Sequence, residues 1–302
     1  MNTKMNVLII GASGQLGSAL IKLFPREEVA GTYCGNSQPD LINLDITKAD
    51  EVNEVLSRLK PAVVIHTAAM THVDKCEGLP KRAEAINVVG TKNLFNACEA
   101  IGAKLVFIST YSVFDGKKGY YAEGDAVNPL NHYSLTKVAA EKIVLQNDNN
   151  LVIRPSKIYS YGEDQRNFVA RLVTSLLEGK EFPVSNDQFN NPISSEDLAI
   201  GTKKLLDTGA FGIYHVGGSD YVSNYSFAMA VAEVFDLPKS LLLSKSSEEL
   251  NAPAPRPKNC ALITEKFFLR TNFAPRSIYQ NLIKWNEKLK SQSCLKKQKA
   301  KL

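Results

Sequence analysis

The sequence predicts an α/β fold, a doubly wound parallel sheet with a smaller C-terminal lobe, and three observations carry that prediction. Val7-Leu-Ile-Ile10 is a short run of four apolar residues leading straight into a glycine-rich turn and then a helical pattern. Strand and helix signals then alternate through the first half of the chain, as βαβ units do. After Pro155 the rhythm changes to helical segments with one strand among them.

Taken in order, the first strand is Val7–Ile10, and a helix opens at about Gln15 with Leu16, Leu20 and Leu23 spaced for one buried face. Val29–Tyr33 is the second strand and Leu41–Leu44 a short third one. Thr47-Lys-Ala-Asp50 has the form of a capping box, and Val52, Val55, Leu56 and Leu59 fall on one face of the helix behind it. Ala62–Thr67 is a fully buried fourth strand. A helix from Pro80, a residue suited to a first turn, ends before Gly102. Lys104–Ser109 is the fifth strand, a helix spans about Asn131 to Gln146, and Leu151–Arg154 is the sixth strand. Further helices are predicted at 165–179, 195–207, 224–235 and 276–290, with a strand at Gly212–Val216 and a stiff Pro-rich loop at Ala252–Pro257. The expected division is 1–156, a second lobe at 157–290 partly interleaved with the first, and a basic, frayed tail at 291–302.

With 302 residues the chain can bury a full core. Its net charge of +5 owes four units to Lys296, Lys297, Lys299 and Lys301 in the tail, so charge gives no reason to expect a nucleic-acid partner. The five cysteines, with no Cys-x-x-Cys pair, fit a reducing compartment and speak against a disulfide framework or zinc site. No signal peptide or membrane-length run is visible, so a cytoplasmic setting without a membrane partner is expected. Nothing in the sequence decides between a monomer and a homo-oligomer.

Gly11-Ala-Ser-Gly-Gln-Leu-Gly17 lies close to the dinucleotide-binding fingerprint, and no Lys-Ser/Thr follows to make it a Walker loop. Glycines here allow a tight turn and close backbone approach, and the helix N-terminus offers free N–H groups to a pyrophosphate. Tyr133-Ser-Leu-Thr-Lys137 sets a phenol and an ammonium on one helix face. The lysine charge is expected to lower the tyrosine pKa and make the phenol a better proton donor near neutral pH. Ser109-Thr110, ending the fifth strand, reaches the same ligand edge of a parallel sheet.

This ordered set resembles the extended short-chain dehydrogenase/reductase superfamily, whose cofactor domain is a Rossmann-type sheet. Gly11–Gly17, His66-Thr-Ala-Ala-Met-Thr-His-Val-Asp74, Ile108-Ser-Thr-Tyr-Ser-Val-Phe-Asp-Gly116, Asn167-Phe168, Asp187-Gln188, Asp197-Leu-Ala199 and Arg256-Pro-Lys-Asn259 narrow the resemblance to the dTDP-4-dehydrorhamnose reductase family. It implies NAD(P)H-dependent reduction of the 4-keto group of a nucleotide-linked deoxysugar, with NADP(H), or else NAD(H), as cofactor and the nucleotide sugar held by the second lobe. Tyr133 then matches the proton donor, Lys137 the residue holding the nicotinamide ribose, and Thr110 the hydroxyl on the reacting carbonyl. Gly11, Gly14 and Gly17 match the pyrophosphate turn, Asp45 a carboxylate near the adenine, and Ala68 and Ala69 small residues that admit the cofactor. Ser13, Gln15, Leu16, Thr32, Ile46, Thr67 and Pro155 complete the implied cofactor set. Asn87 matches an asparagine that serves equally well as structure.

The sugar-facing positions depart from the family. Its Ser-Thr-Asp-Tyr-Val-Phe-Asp-Gly has Tyr111 and Ser112 at the Asp and Tyr positions, and Lys157 stands where a tryptophan is usual. These three, with Asn167, Gln188 and Arg256, make up the expected substrate contacts, Arg256 as a phosphate ligand. His66 and His72 match no metal spacing, and no metal is expected. On the cofactor side no carboxylate follows the second strand before Asp40, and Thr32, Asn36 and Ser37 are available to a 2′-phosphate. Two alternatives stay open: a nucleotide-sugar epimerase of the same superfamily, and a non-catalytic regulatory subunit of the kind that binds methionine adenosyltransferase.

Overall fold

The computed structural model describes residues 6–35, 38–161 and 167–299, with side chains as far as Ser291. The chain begins β1 (Val7–Ile10), α1 (Gln15–Leu20), β2 (Val29–Tyr33), β3 (Ile42–Asn43), α2 (Ala49–Leu59) and β4 (Val63–His66). It continues α3 (Val73–Gly78), α4 (Pro80–Glu84), α5 (Gly90–Ile101), β5 (Lys104–Ile108), α6 (His132–Val144) and β6 (Leu151–Pro155). Next come β7 (Ile158–Tyr159), α7 (Phe168–Leu177), β8 (Phe182–Ser185), β9 (Phe189–Asn190), β10 (Ile193–Ser194) and α8 (Ser195–Asp207). The last elements are β11 (Gly212–Val216), β12 (Val222–Ser223), α9 (Asn224–Val234), β13 (Leu242–Lys245), α10 (Glu265–Thr271) and α11 (Ile278–Lys299).

Seven strands form one parallel sheet in the order β11-β6-β5-β4-β1-β2-β3. The order reverses between β1 and β4, and in doubly wound sheets that switch point opens a ligand crevice at the carboxyl ends. Both faces are covered, which is why β1 is apolar at every position. Val7 and Ile9 pack with Leu16 and Leu20 of α1 and Leu198 and Leu205 of α8. Leu8 and Ile10 face Val52 and Leu56 of α2, Leu94 of α5 and Val144 of α6. The second lobe has its own core, in which Tyr159, Leu172, Phe227, Leu282 and Trp285 meet.

After β6 the chain leaves the sheet, builds β7 to β10, returns through α8 against α1, and adds β11 along the free edge of β6. The outer edge of β11 is blunted by side chains: the His215 amide donates to Glu123 Oε1 (3.0 Å), and Lys266 Nζ donates to the Ile213 carbonyl (2.6 Å).

Several local expectations change. The capping box at Thr47 does not form. Asp45 instead accepts from the amide (3.0 Å) and hydroxyl (2.8 Å) of Thr47, and α2 starts two residues later. Leu23 sits in a 3-10 turn after α1 and is half-buried. The single helix expected from Pro80 to Gly102 is interrupted by a π-helical turn at Ala85–Val89. The wider turn carries buried Asn87, whose amide spans the Met70 backbone (2.8 and 3.1 Å) and donates to Thr136 Oγ1 on α6 (2.9 Å). Helix α3 carried no clear signal in the sequence. At the C-terminus α11 runs on to Lys299, through most of the segment that its charge suggested would fray. Residues 300–302 of that tail lie outside the described residues.

Candidate active site

A cleft of about 1020 Å³ opens along the carboxyl ends of the sheet, between the two lobes. Its floor is the turn after β1. Gly11 has φ +84°, and a Cβ there would stand 2.9 Å from the Ala68 amide nitrogen and 3.0 Å from Thr67 Oγ1. The turn is pinned from both sides: the Gly11 amide donates to Thr32 Oγ1 (3.2 Å), and Thr67 Oγ1 donates to the Ile10 carbonyl (2.8 Å). Gly17 does not line the cleft. A Cβ on it would stand 2.2 Å from the Gly11 carbonyl oxygen, so this glycine lets α1 lie against its own strand.

The remaining residues expected at the cofactor all line the cleft: Gly11, Ser13, Gly14, Gln15, Leu16, Thr32, Asp45, Ile46, Thr67, Ala68, Ala69 and Pro155. Asp45 is held below the usual carboxylate range, first by the Thr47 amide and hydroxyl bonds. Asn36 and Ser37, expected near a 2′-phosphate, lie outside the described residues. The cradle fits a dinucleotide, because Gly11, Ala68 and Ala69 present backbone and methyl groups alone along one wall.

Thr110, Tyr133 and Lys137 meet at the middle of the cleft. Register explains the first: Ile108 pairs with Ile153, which brings the end of β5 level with the end of β6 at the crevice. Asn131 explains the other two by capping α6, accepting from the Ser134 amide (2.9 Å) and so fixing where the helix begins. Thr110 Oγ1 accepts from the Ser112 amide (3.1 Å), and its hydroxyl bonds the Tyr133 phenol.

The electrostatics differ from the expectation. Tyr133 is pushed up to about 12, with burial the main cause and the Thr110 bond opposing it. Lys137 is pulled down to about 7 by burial, against the attraction of Glu141. Burial rather than Lys137 sets the direction for the phenol, and Lys137 Nζ donates to the Ile108 carbonyl (2.7 Å) and lies 3.9 Å from the centre of the Phe107 ring. Phe107 also packs against His66, at 5.4 Å between ring centres. His66 is not a ligand: Nε2 bonds Thr91 Oγ1 (3.1 Å), and burial drives it down to about 3. His72 caps α3 through the Lys75 amide. Behind the site Arg154 and Glu141 form a buried pair (2.7 and 3.0 Å), and Ser109 donates to the same carboxylate.

On the substrate side Tyr111, Ser112, Lys157, Asn167, Gln188 and Arg256 all reach the cleft wall. Ser112 Oγ bonds Ser134 Oγ (2.6 Å), tying the strand end to α6. Burial raises the Tyr111 phenol above its usual range. The guanidinium of Arg256 is already engaged, in a bidentate pair with Asp74 (2.6 and 2.7 Å). Asn259 packs against Gly119 outside the cleft lining. Sequence reasoning missed Arg171 and Asn224, which also line the wall. Arg171 had a signal, standing one helical turn beyond Asn167, the cap of α7. Asn224 is simply the first residue of α9, and nothing in the sequence marks it.

The model of the RmlD substrate binding domain matches residues 5–291. A dTDP-4-dehydrorhamnose reductase of Streptomyces griseus is 33% identical over 263 residues, 84% of each chain. Methionine adenosyltransferase 2 subunit beta of Bos taurus is 31% identical over 268 residues, 85% of this chain and 79% of that one. Among solved structures, the Bacillus anthracis dTDP-4-dehydrorhamnose reductase in complex with NADP superposes with a TM-score of 0.84 at 32% identity, covering 92% of this chain and 97% of that one. Glycine cradle, Thr110–Tyr133–Lys137 centre and full-length similarity coincide, and the chain belongs to the RmlD substrate binding domain family of the extended short-chain dehydrogenase/reductases.

Proposed function

We propose that the protein reduces the 4-keto group of a nucleotide-linked deoxysugar, with NADP(H) as the cofactor and NAD(H) as the other nicotinamide it accepts. The observation that carries this reading is the convergence of Thr110, Tyr133 and Lys137 on the cleft whose floor is the Gly11 turn. Reduced nicotinamide supplies the hydride that reaches the carbonyl carbon. The chain's own residues manage the oxygen. The Thr110 hydroxyl, whose oxygen accepts from the Ser112 amide, hydrogen-bonds the carbonyl oxygen and keeps its own proton. Tyr133 transfers the phenolic proton as charge builds on that oxygen; burial keeps the phenol protonated at neutral pH. Lys137, anchored on the Ile108 carbonyl, supplies positive charge beside both.

Among the described residues no helix is long and apolar enough to cross a membrane. A cytoplasmic setting is part of the proposal, supported by the free thiols of Cys34, Cys76, Cys98 and Cys260. The similarity to a methionine adenosyltransferase subunit favours a second reading, a regulatory chain that keeps fold and nucleotide site without turnover. One experiment separates them: NADPH absorbance followed over a panel of nucleotide-linked 4-keto sugars. Stoichiometric NADPH consumption with at least one sugar is expected. Isomerisation of a sugar without net oxidation would turn the assignment to an epimerase, and no reaction with any would turn it to the regulatory chain.

A further inference from the structure

We propose that the sugar bound in this cleft carries a carboxylate, seated against the Lys157 ammonium beside Asn224, in addition to its nucleotide diphosphate. The inference rests on the nucleotide-sugar reading above and specifies the substrate class within it.

Among the described residues five cationic side chains line the cleft, Arg82, Lys137, Lys157, Arg171 and Arg256, against one acid, Asp45, at the far cofactor end. Arg256 is neutralised by Asp74, and Lys137 belongs to the reacting centre. Arg82 stands on the first-lobe side, and Arg171 is exposed at the rim, where a diphosphate can meet it. Lys157 differs from all of these. Extending the β5–β6 register from Ile108 and Ile153 sets Pro155 level with Thr110, so Lys157 comes two residues beyond the reacting position.

The surroundings of Lys157 position its charge without neutralising it. Nζ donates to Asn224 Oδ1 (2.8 Å) and lies 4.2 Å from the centre of the Phe168 ring. Asn224 presents its oxygen because its amide nitrogen is committed to Ser185 Oγ (2.8 Å) and Gln188 Oε1 (3.0 Å). Among the described residues no carboxylate pairs with Lys157. Burial, reinforced by Arg171, lowers it to about 7, so the protein alone does not hold the charge firmly. An ammonium has three donors, and a desolvated one is stable only when a counter-charge reaches it. A ligand carboxylate supplies that charge and takes a remaining donor.

Calorimetry on the NADPH-loaded protein tests this with UDP and dTDP alone and with the UDP- and dTDP-linked forms of glucose and glucuronate. For the nucleotide that binds, the glucuronate form is expected to bind about tenfold or more tightly than the glucose form, as a charge-assisted contact requires. Lys157→Gln should abolish that advantage, while Lys157→Arg keeps part of it. Arg171→Gln should weaken both sugar forms alike. Equal wild-type affinities for the two sugars overturn the proposal, as does an advantage that survives Lys157→Gln. So does a Lys157→Gln loss equally large for the bare nucleoside diphosphate, which would assign the lysine to phosphate. If neither nucleotide nor nucleotide sugar binds at all, the reductase reading falls and this inference falls with it.

Discussion

Arg256 and Asp74, 182 residues apart in the chain, close a two-pronged ion pair across the mouth of the cleft (2.6 and 2.7 Å). Asp74 also accepts from the Ala254 amide (3.1 Å), so one carboxylate fastens the Pro-rich loop of the second lobe to the start of α3. The pair holds Asp74 below the usual carboxylate range. Both side chains keep about a quarter of their surface in water, which places the contribution near the low end for charged hydrogen bonds, about 1 kcal/mol. Asp74→Asn is therefore expected to cost little stability yet raise KM for the nucleotide sugar several-fold, with the Kd for NADPH unchanged. Equal effects on both ligands would show that the strap does not serve the substrate side.

Tyr133→Phe removes one hydroxyl from the reacting centre. General acids contribute about 10² to 10⁴ in rate, and turnover at saturating substrate should fall by that much while NADPH titrates as before. Wild-type turnover in the variant would remove Tyr133 from the mechanism.

Lys137 carries a stability cost that pH can reveal. Its folded pKa of about 7 lies below the ordinary lysine value of 10.5, so between these values the unfolded chain binds the extra proton. Stability from this group is thus lowest below pH 7 and rises with pH through the window, by at most about 1.4 kcal/mol per unit. Lys137→Met lacks this dependence. Urea unfolding without nucleotide at pH 7 and pH 9 should show the wild type gaining on the variant as pH rises. A difference between the two proteins that ignores pH would contradict the buried-ammonium account.

Cofactor choice follows from where the acids near β2 are engaged. Asp40, the first acid after β2, pairs with Arg26 (2.9 Å) and lies outside the cleft lining, and Asp45 stands beyond β3. NADPH should bind at least as tightly as NADH. Tenfold tighter NADH binding in a fluorescence titration would overturn this.

The backbone of this fold was legible because its signals are local. Val7–Ile10, Val29–Tyr33, 195–207 and Gly212–Val216 appear where apolar runs and helical spacing put them. The meeting of Thr110, Tyr133 and Lys137 in one cleft was legible because strand ends and a capped helix start share one sheet edge by topology. What stayed hidden depends on contacts distant in sequence. No periodicity announces a π-helical turn that exists to aim Asn87 at Thr136, or an Asp45 that displaces Thr47 at the entrance to α2. Arg256 reads as a free phosphate ligand until Asp74 is seen beside it. The direction of the Tyr133 shift was missed for the same reason: spacing predicts proximity, while burial decides the charge.

The late arrival of β11 has a consequence on the ribosome. When Pro155 has left the exit tunnel, β6 is a complete but open edge of a parallel sheet, and its partner is still some 60 residues from emerging. At about 5–20 residues per second that interval lasts roughly 3–12 seconds. Throughout it an apolar strand, Leu151-Val-Ile153, offers unpaired backbone groups to any neighbouring nascent chain. A translational pause between the emergence of Pro155 and that of Val216 would lengthen the exposure, and one after Val216 has emerged would not. Synonymous codons that slow synthesis in the first interval should therefore lower the soluble yield of an otherwise identical protein.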